Sequence, residues 1–448
     1  MVDVFLLNPP GNEIRTGRLV RESKSKNQGW PPIFLAYATG VLEKQGYECV
    51  LYDAFGEEGR IPSWNAIEEA KPELIAFHWT YDTRYADLVY ANSLAAEYRV
   101  VLVGPWSAHF PEAIKVLAPN VEAMTHGPFE YTLANLIEKR PTLGVTYKDG
   151  EYIPQGEPYT TAQLNYMPFV SSVYKAHLDI KRYRQTSFRY PFVDIFTSRD
   201  CPHRCAFCSW VNGMYQLHPN RWAKRSLSNV MAELWYINNE MPEVKQTFFQ
   251  DSTLVTPWAR ELSQEIIDTG PKNFCWGAYS RADKDYDTLK LMHDAGCRTL
   301  HVGYEVPIQK YLDEIKKDIT VEQEAQFIKD VNKVGLWTSS SFMIFPWMSE
   351  EDIKFMVRWI KYVGATRVNV AQLQPYPNVP IIDVINAYKD IPGQHMMDFD
   401  EMKKWEQYFF KEFYLKNPKF WWQVLTNPRE WLNVLNDAKG MLKFLGEK

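Results

Sequence analysis

The sequence predicts an α/β protein built from two successive parallel-sheet regions and a helical tail. Short apolar runs alternate with helix-length segments over residues 1–140, and the same rhythm resumes after residue 190. A chain of 448 residues also exceeds one ordinary core, so two or three domains are expected. The expected limits are 1–140 for a doubly wound parallel sheet, 141–189 for a connector, 190–390 for an incomplete (β/α)6 barrel, and 391–448 for a small helical region.

Val2–Leu7 reads as a buried strand stopped by Pro9-Pro10, and Pro31-Pro32 opens a helical stretch that runs to Lys44 before Gly46. Glu48–Tyr52, Leu74–Phe77 and Val100–Val103 are the next strands. In such a sheet ligands sit beyond the carboxyl ends of the strands. Those ends carry Asn8-Pro9, Asp53, His78-Trp79, Gly104-Pro-Trp106 and His126-Gly127-Pro-Phe-Glu130. No G-x-G-x-x-G follows the first strand, which argues against a dinucleotide. Within the connector, a hairpin is expected at Gly144–Ile153 around Asp149-Gly150, packed across both domains.

Strand Phe192–Thr197 leads into Cys201-Pro-His-Arg-Cys205-Ala-Phe207-Cys208, a C-x3-C-x2-C loop holding three of the six cysteines. Three thiolates on one loop suit three irons of a cubic [4Fe–4S] cluster, leaving the fourth iron open to a small molecule. The alternative is structural zinc, which wants four closed ligands, the fourth being His203 or a remote group. An odd number of clustered cysteines argues against disulfides. Cys49, Cys275 and Cys297 are not spaced for a second cluster and read as core residues.

Strands are then expected at Gln246–Phe249, Asn273–Tyr279, Thr299–Val302, Trp337–Ile344 and Arg367–Leu373. Helices fall at Leu227–Asn239, Trp258–Thr269, Tyr286–Ala295, Val321–Val334 and Ser349–Val363. Polar residues end the strands, as in the eight-fold relative: Asp251, Ser280-Arg281 and Gly303-Tyr-Glu305. From Asp398 the chain turns helical and aromatic, with a stripe of Trp431, Leu435, Ala438 and Leu442; this tail is expected to close the open side of the barrel, with a membrane or lipid contact as the less favoured alternative.

Hydrophobic residues make up 46% of the chain and charged residues 23%, as in soluble globular proteins. A net charge of −5 gives no electrostatic case for nucleic acid. No apolar run reaches the ~18 residues of a membrane span, and Met1-Val-Asp enters a strand rather than a signal peptide, so a cytoplasmic location is expected.

The cysteine spacing, with Phe207 before the last cysteine, closely resembles the radical SAM superfamily. That resemblance implies cluster ligands Cys201, Cys205 and Cys208, and S-adenosylmethionine (SAM) on the open iron. It further implies Asp251 toward the SAM amino group, Arg281 with Ser280 toward its carboxylate, Glu305 on the ribose and Gly303 for close approach. Gln250 stands where this subfamily often has the first of two acids, so the role falls to Asp251 alone. The first 140 residues resemble the Rossmann-like cobalamin-binding domain of one large subfamily, the class B methyltransferase-like enzymes. The resemblance lies in "PPIFLAYATGVLEKQGYECVLYDA" and the loops at Gly104 and Gly127. It implies Asn8, Pro9, His78, Trp79, Gly104, Trp106, Gly127 and Glu130 as cobalamin neighbours.

The D-x-H-x-x-G motif that brings histidine to cobalt elsewhere is absent. Trp79 either covers the lower corrin face or is an interior aromatic. The segment "EFYLKNPKFWWQVL" is similar to the branch with the anaerobic Mg-protoporphyrin ester cyclase and hopanoid-modifying enzymes. Together these imply C-methylation of an unactivated carbon of a small-molecule or lipid-like substrate, with flavodoxin or ferredoxin as electron donor. Oxidative cyclisation or rearrangement is the enzymatic alternative. A corrinoid- or cluster-binding sensor is the alternative of another class.

Overall fold

The computed structural model describes residues 2–9, 13–15, 20–22, 29–55, 63–81, 83–104, 113–126, 129–148, 152–153, 159–185, 187–208, 222–377, 379–418 and 421. Trp106, Gly127, the Asp149-Gly150 turn and the stripe from Trp431 to Leu442 lie outside the described residues. Two compact units form: Met1–Gln185 with Tyr190–Pro202 and Ser209–Lys245, and Thr186–Arg189 with His203–Cys208 and Gln246–Lys448.

The first unit contains β1 Val4–Asn8, β2 Cys49–Asp53, β3 Leu74–His78, β4 Arg99–Val103 and β5 Ala123–Thr125. They lie side by side in the order β2-β1-β3-β4-β5, all parallel. That order reverses direction between β1 and β3, which opens a crevice at their carboxyl ends. Every residue of β1 and β3 is buried, as continuous apolar runs in a doubly covered sheet should be.

Helix Ile33–Lys44 follows Pro32 and is buried from Ile33 to Leu42. At Gly40 an added methyl group would meet Val173 at 2.9 Å, so the helix Val170–His177 packs closely on it. The hairpin of β6 Val145–Tyr147 and β7 Tyr152–Ile153 differs from expectation. It pairs antiparallel along β5 and extends the first sheet rather than standing apart in a connector. The free edge of β5 supplies the reason, since its backbone groups need partners.

β8, Phe192–Ile195, leads the cysteine loop, and helix Leu227–Glu240 follows. Arg225 donates to Glu233 at 2.5 Å and to the Phe196 carbonyl at 2.9 Å. Glu233 in turn accepts from the Ser171 amide and hydroxyl, so this buried charge is fully compensated. Asp194 on β8 is less well served. Tyr174 donates to its Oδ1 at 2.9 Å, while Oδ2 has no partner among the described residues.

The second unit carries β9 Gln246–Phe249, β10 Trp276–Arg281, β11 Cys297–Glu305, β12 Trp337–Ile344 and β13 Val368–Gln372. They are parallel and lie in chain order, the progressive winding of a barrel rather than a doubly wound sheet. Helix Val321–Val334 starts at the Thr320–Gln323 capping box, and helix Glu350–Val363 at Ser349–Asp352. Glycines 335 and 364 end them at φ of 85° and 82°.

The tail helix Phe399–Phe410 and the turn after it run along β13. Tyr414 donates its hydroxyl to the Val368 carbonyl at 2.6 Å and accepts from the Val368 amide at 2.9 Å. One side chain thus satisfies both backbone groups at that point of the last strand. Among the described residues no helix is long and apolar enough to cross a membrane.

Burial pushes Asp194 up to about 7, opposed by the Tyr174 hydrogen bond. An acid whose folded pKa is raised stabilises the fold below its unfolded value, near 3.9. That contribution is lost as pH rises through the folded value. Relative to the wild type, Asp194→Asn should therefore gain about 1–3 kcal/mol of stability between pH 5 and pH 8. Melting temperatures of the two proteins across that range check this; a constant difference would show that Asp194 is already ionised.

Candidate functional site

In the second unit, the chain from His203 to Cys208 is tied down by its own backbone. The Ala206 amide donates to the Ile315 carbonyl at 2.8 Å, and the Ala206 carbonyl accepts from Ile381 at 3.0 Å. The Cys208 amide closes a turn on the Cys205 carbonyl at 3.1 Å. Cys205 is buried and Cys208 half-buried. In the first unit, Cys201 is buried and follows Asp200, whose φ of 65° is unusual for a side-chain-bearing residue. The strand pair Ser198–Arg199 and Ala223–Lys224 holds that approach.

Positive charge surrounds Cys205. Arg281, at the end of β10, donates Nη1 to Cys205 Sγ at 3.4 Å and Nη2 to the Lys317 carbonyl. Its Nε stands 3.8 Å from Asp283 Oδ2. The Lys317 ammonium binds Glu305 Oε1 and lies 5.9 Å from the Phe207 ring centre. Burial opposes the charged form of Lys317, yet Glu305 and then Cys205 hold its pKa above the ordinary lysine value. Burial, followed by the Arg281 charge, pushes His203 down to about 4, so its ring is neutral at pH 7. Buried Lys284 pairs with Asp283 at 3.1 Å.

Arg281 was expected to face a methionine carboxylate. In the structure Nη1 and Nη2 each give one N–H, to Cys205 and to the Lys317 carbonyl, which leaves further N–H donors on the guanidinium. Glu305 ends β11 at a register shift, with φ of 71°. A methyl added at Gly303 would lie 2.5 Å from Glu305 Oε1 and 3.2 Å from Lys317 Nζ, so the ends of these two side chains would have to shift. Ser280 spends its hydroxyl on the Arg281 carbonyl at 2.8 Å.

The turn after β9 holds buried polar atoms awaiting partners. Both amide atoms of Gln250, and the hydroxyls of Ser252 and Thr253, have none among the described residues. Orphaned groups like these cost stability unless a ligand or water meets them. Asp251 beside them is fully buried. Gln250, set aside in the sequence as a lost acid, is thus a ligand candidate in its own right.

Sequence reasoning also missed the inner face of the barrel. Tyr279, His301, Ser339, Ser341, Met343 and Asn369 are half-buried there, where a closed barrel packs Val, Ile and Leu. Register pairs Tyr279 with His301, His301 with Ser339, and Ser341 with Asn369, so they form one contiguous polar face. The alternation in "WTSSSFMI" was the available signal.

In the first unit, Asn8 donates Nδ2 to Asp53 at 2.8 Å, and its Oδ1 lies 3.2 Å from His78 Nδ1. Tyr183 donates to the other Asp53 oxygen at 2.7 Å. An amide oxygen only accepts, so the proton sits on His78 Nδ1. Asn8 and His78 end β1 and β3, the two strands flanking the switch point, and Pro9 is buried beside them. Gly104 sits against this pair at φ of 140°, where an added methyl would lie 3.0 Å from the Trp79 carbonyl and 3.4 Å from the His78 ring.

One residue falls elsewhere than the resemblance implied. Trp79 has no exposed surface and packs in the sheet's apolar core, the interior-aromatic alternative. Glu130 is buried and accepts from Arg199 at 2.7 Å and from Tyr159 at 2.7 Å. Arg199 in turn lies 4.1 Å from the Phe196 ring, so the pair braces the entry to the cysteine loop.

Residues 195–360 match the Radical SAM superfamily. The match covers less than half of the chain. A methyltransferase of Pyrococcus horikoshii described as uncharacterized is 26% identical over 363 residues, 78% of this chain and 76% of its own. The anaerobic magnesium-protoporphyrin IX monomethyl ester cyclase of Cereibacter sphaeroides is 22% identical over 352 residues, 70% of this chain and 53% of its own. The solved radical S-adenosylmethionine methyltransferase TsrM from Kitasatospora setae, with cobalamin and a [4Fe–4S] cluster bound, has the same fold. It matches with a TM-score of 0.64 at 18% identity, over 88% of this chain and 77% of its own.

A radical SAM domain is an enzyme's catalytic domain, which sets aside the sensor alternative, and its cofactors are a [4Fe–4S] cluster and SAM. The residues present fit that cluster. Buried Arg281 stands against Cys205 and buried Lys317 lies by Phe207 in the same loop, a charge pattern suited to an anionic group. Among the described residues no three His, Cys, Asp or Glu side chains gather where one ion could be held. A cluster asks for no such convergence, since each thiolate takes its own iron. Anaerobically reconstituted protein should hold about four irons and four sulfides. Cys201→Ala, Cys205→Ala and Cys208→Ala should each lose the brown chromophore and 5′-deoxyadenosine formation. Stoichiometric zinc without iron would overturn the assignment.

Proposed function

We propose that this protein is a cobalamin-dependent radical SAM enzyme that methylates an unactivated carbon of a small, hydrogen-bonding molecule. The observation that carries the cobalamin part is the polar switch point of the first sheet. A radical SAM domain does not itself need a second sheet with Asn8, Asp53 and His78 linked at a ligand crevice.

When bound, the cluster and SAM supply hydrogen-abstracting radical chemistry, and cobalamin supplies a transferable methyl group. The chain's residues bind and orient. Cys201, Cys205 and Cys208 ligate the irons. Gln250 and Asp251 offer an amide and a carboxylate to the SAM amino acid group, and Glu305, held through one oxygen by Lys317, meets the ribose hydroxyls with the other. Asn8, Pro9, His78 and Gly104 face the corrinoid. Tyr279, His301, Ser339, Ser341 and Asn369 face the substrate, and their hydrogen-bonding character favours a polar molecule over a lipid. A flavodoxin- or ferredoxin-type donor supplies electrons, in a cytoplasm that keeps the six thiols reduced.

Anaerobic reconstitution with SAM, cobalamin and candidate substrates tests the reaction by product mass. A product heavier by one CH2 supports methylation. A product lighter by two hydrogens supports ring formation, the activity named for the cyclase relative.

For SAM binding, Gln250→Leu and Glu305→Gln should each weaken affinity about tenfold, roughly 1.4 kcal/mol. Unchanged affinity in both places the pocket elsewhere.

For cobalamin, the missing D-x-H-x-x-G and the role of His78 within the Asn8–Asp53 chain favour cobalt without a protein histidine. The reconstituted Co(II) protein should give an electron paramagnetic resonance spectrum without nitrogen superhyperfine splitting, unchanged in His78→Ala. A nitrogen triplet that vanishes in this variant makes His78 an axial ligand.

A further inference from the structure

Lys317 and Arg281 are held more elaborately than SAM binding requires. Lys317 follows the helix Gln309–Glu314, whose end has the Schellman pattern: the Lys317 amide bonds to the Leu312 carbonyl at 2.9 Å, and the Lys316 amide to Asp313 at 3.0 Å. Such an end wants glycine in the left-handed position, yet Lys316 occupies it at φ of 52°. Asp318 is left-handed too, at 51°, and Glu305 at 71°. Each costs on the order of 1–3 kcal/mol, and all three converge on one buried ion pair. Backbone strain gathered in this way marks a geometry that the surrounding fold enforces.

That geometry puts one buried cation, Arg281, on the Cys205 sulfur and a second, Lys317, beside the ring of Phe207 in the same loop. Arg281 hydrogen-bonds Cys205 Sγ, and its second nitrogen is fixed by the Lys317 carbonyl, so the backbone strained to display Lys317 also aims Arg281. The Lys317 ammonium is within electrostatic reach of the same thiol and is partly neutralised by Glu305.

We propose that Arg281 and Lys317 are positioning residues of the cluster, which hold the Cys205 thiolate and raise the cluster's reduction potential, with Glu305 limiting how much of the Lys317 charge the cluster feels. The proposal rests on the radical SAM domain and not on the identity of substrate or corrinoid. A hydrogen bond or a positive charge at a ligand sulfur favours the more negative, reduced cluster. In a buried setting that charge is weakly screened.

The test uses the full chain, anaerobically reconstituted and free of SAM, in a redox titration with dithionite followed by electron paramagnetic resonance. Arg281→Met and Lys317→Met should lower the midpoint potential. Glu305→Gln, which unmasks Lys317, should raise it. Iron and sulfide per chain should stay at the wild-type value. The opposed signs are what a merely structural role would not produce. Potentials equal to the wild type in all three variants, or a Glu305→Gln shift of the same sign as Lys317→Met, overturn the proposal. Should Arg281→Met fail to assemble a cluster, the signs of the other two variants decide. Because SAM is absent, residues that only bind SAM leave the potential unmoved. Failure of the radical SAM assignment would show separately, as wild-type protein without iron.

Discussion

The bond from Arg281 to Cys205 Sγ constrains much of the second unit. A guanidinium buried beside a thiolate needs further partners, and the Lys317 carbonyl accepts from Nη2 while Asp283 gives a nearby counter-charge. Lys317 must then be carried to that place, which requires a helix that stops at Ile315 and two left-handed residues around the lysine. Its ammonium needs a counter-charge, and Glu305 supplies it beside Gly303, where no side chain crowds the pair. The same Ile315 carbonyl anchors Ala206 in the cysteine loop. Loop, helix end and two strand ends are therefore set by a single electrostatic requirement.

The two sheets solve different problems with the same elements. In the first, the order β2-β1-β3-β4-β5 reverses direction between β1 and β3, and the crevice there is lined by polar side chains that bond to one another. Such a crevice suits a large planar ligand approached from the strand ends. In the second, strands follow in chain order and curve around an inner face that keeps polar residues half-exposed. That arrangement suits a small molecule enclosed by the sheet itself.

The fold was legible in the sequence where local signals agree. Val321–Val334 and Trp337–Ile344 lie where periodicity and capping residues put them, because Thr320 and Gly335 mark the ends as clearly as the apolar pattern marks the face. Strand ends were less legible. β10 runs on to Arg281 and β11 to Glu305, because tertiary pairing extends strands through polar residues that composition reads as loop. The Gly144–Ile153 hairpin was recognised but not its pairing, since the free edge of β5 cannot be seen from the hairpin's own residues. At the site, the cysteine spacing is a local pattern and was read directly. The partner of Arg281 was not, because the choice between a ligand carboxylate and Cys205 depends on Lys317, 36 residues later in the chain. Lys317 itself sits in a Lys-Lys-Asp run that looks like any solvated turn.

Glu324 completes the electrostatics of the second unit. It lies wholly buried in the first turns of the helix Val321–Val334, with neither carboxylate oxygen partnered among the described residues. Burial raises its pKa well above the ordinary value, Lys317 and Arg281 oppose the rise, and Glu305 adds to it. Desolvation therefore favours the protonated form of this carboxyl. An ionised Glu324 would be a second carboxylate within reach of Lys317 and Arg281, competing with Cys205 for their charge. Apart from Glu324, Arg281, Lys284 and Lys317 face Asp283 and Glu305, an excess of positive charge on the side where Cys205 stands. Desolvating one acid thus preserves the positive field that a cluster held by thiolates needs.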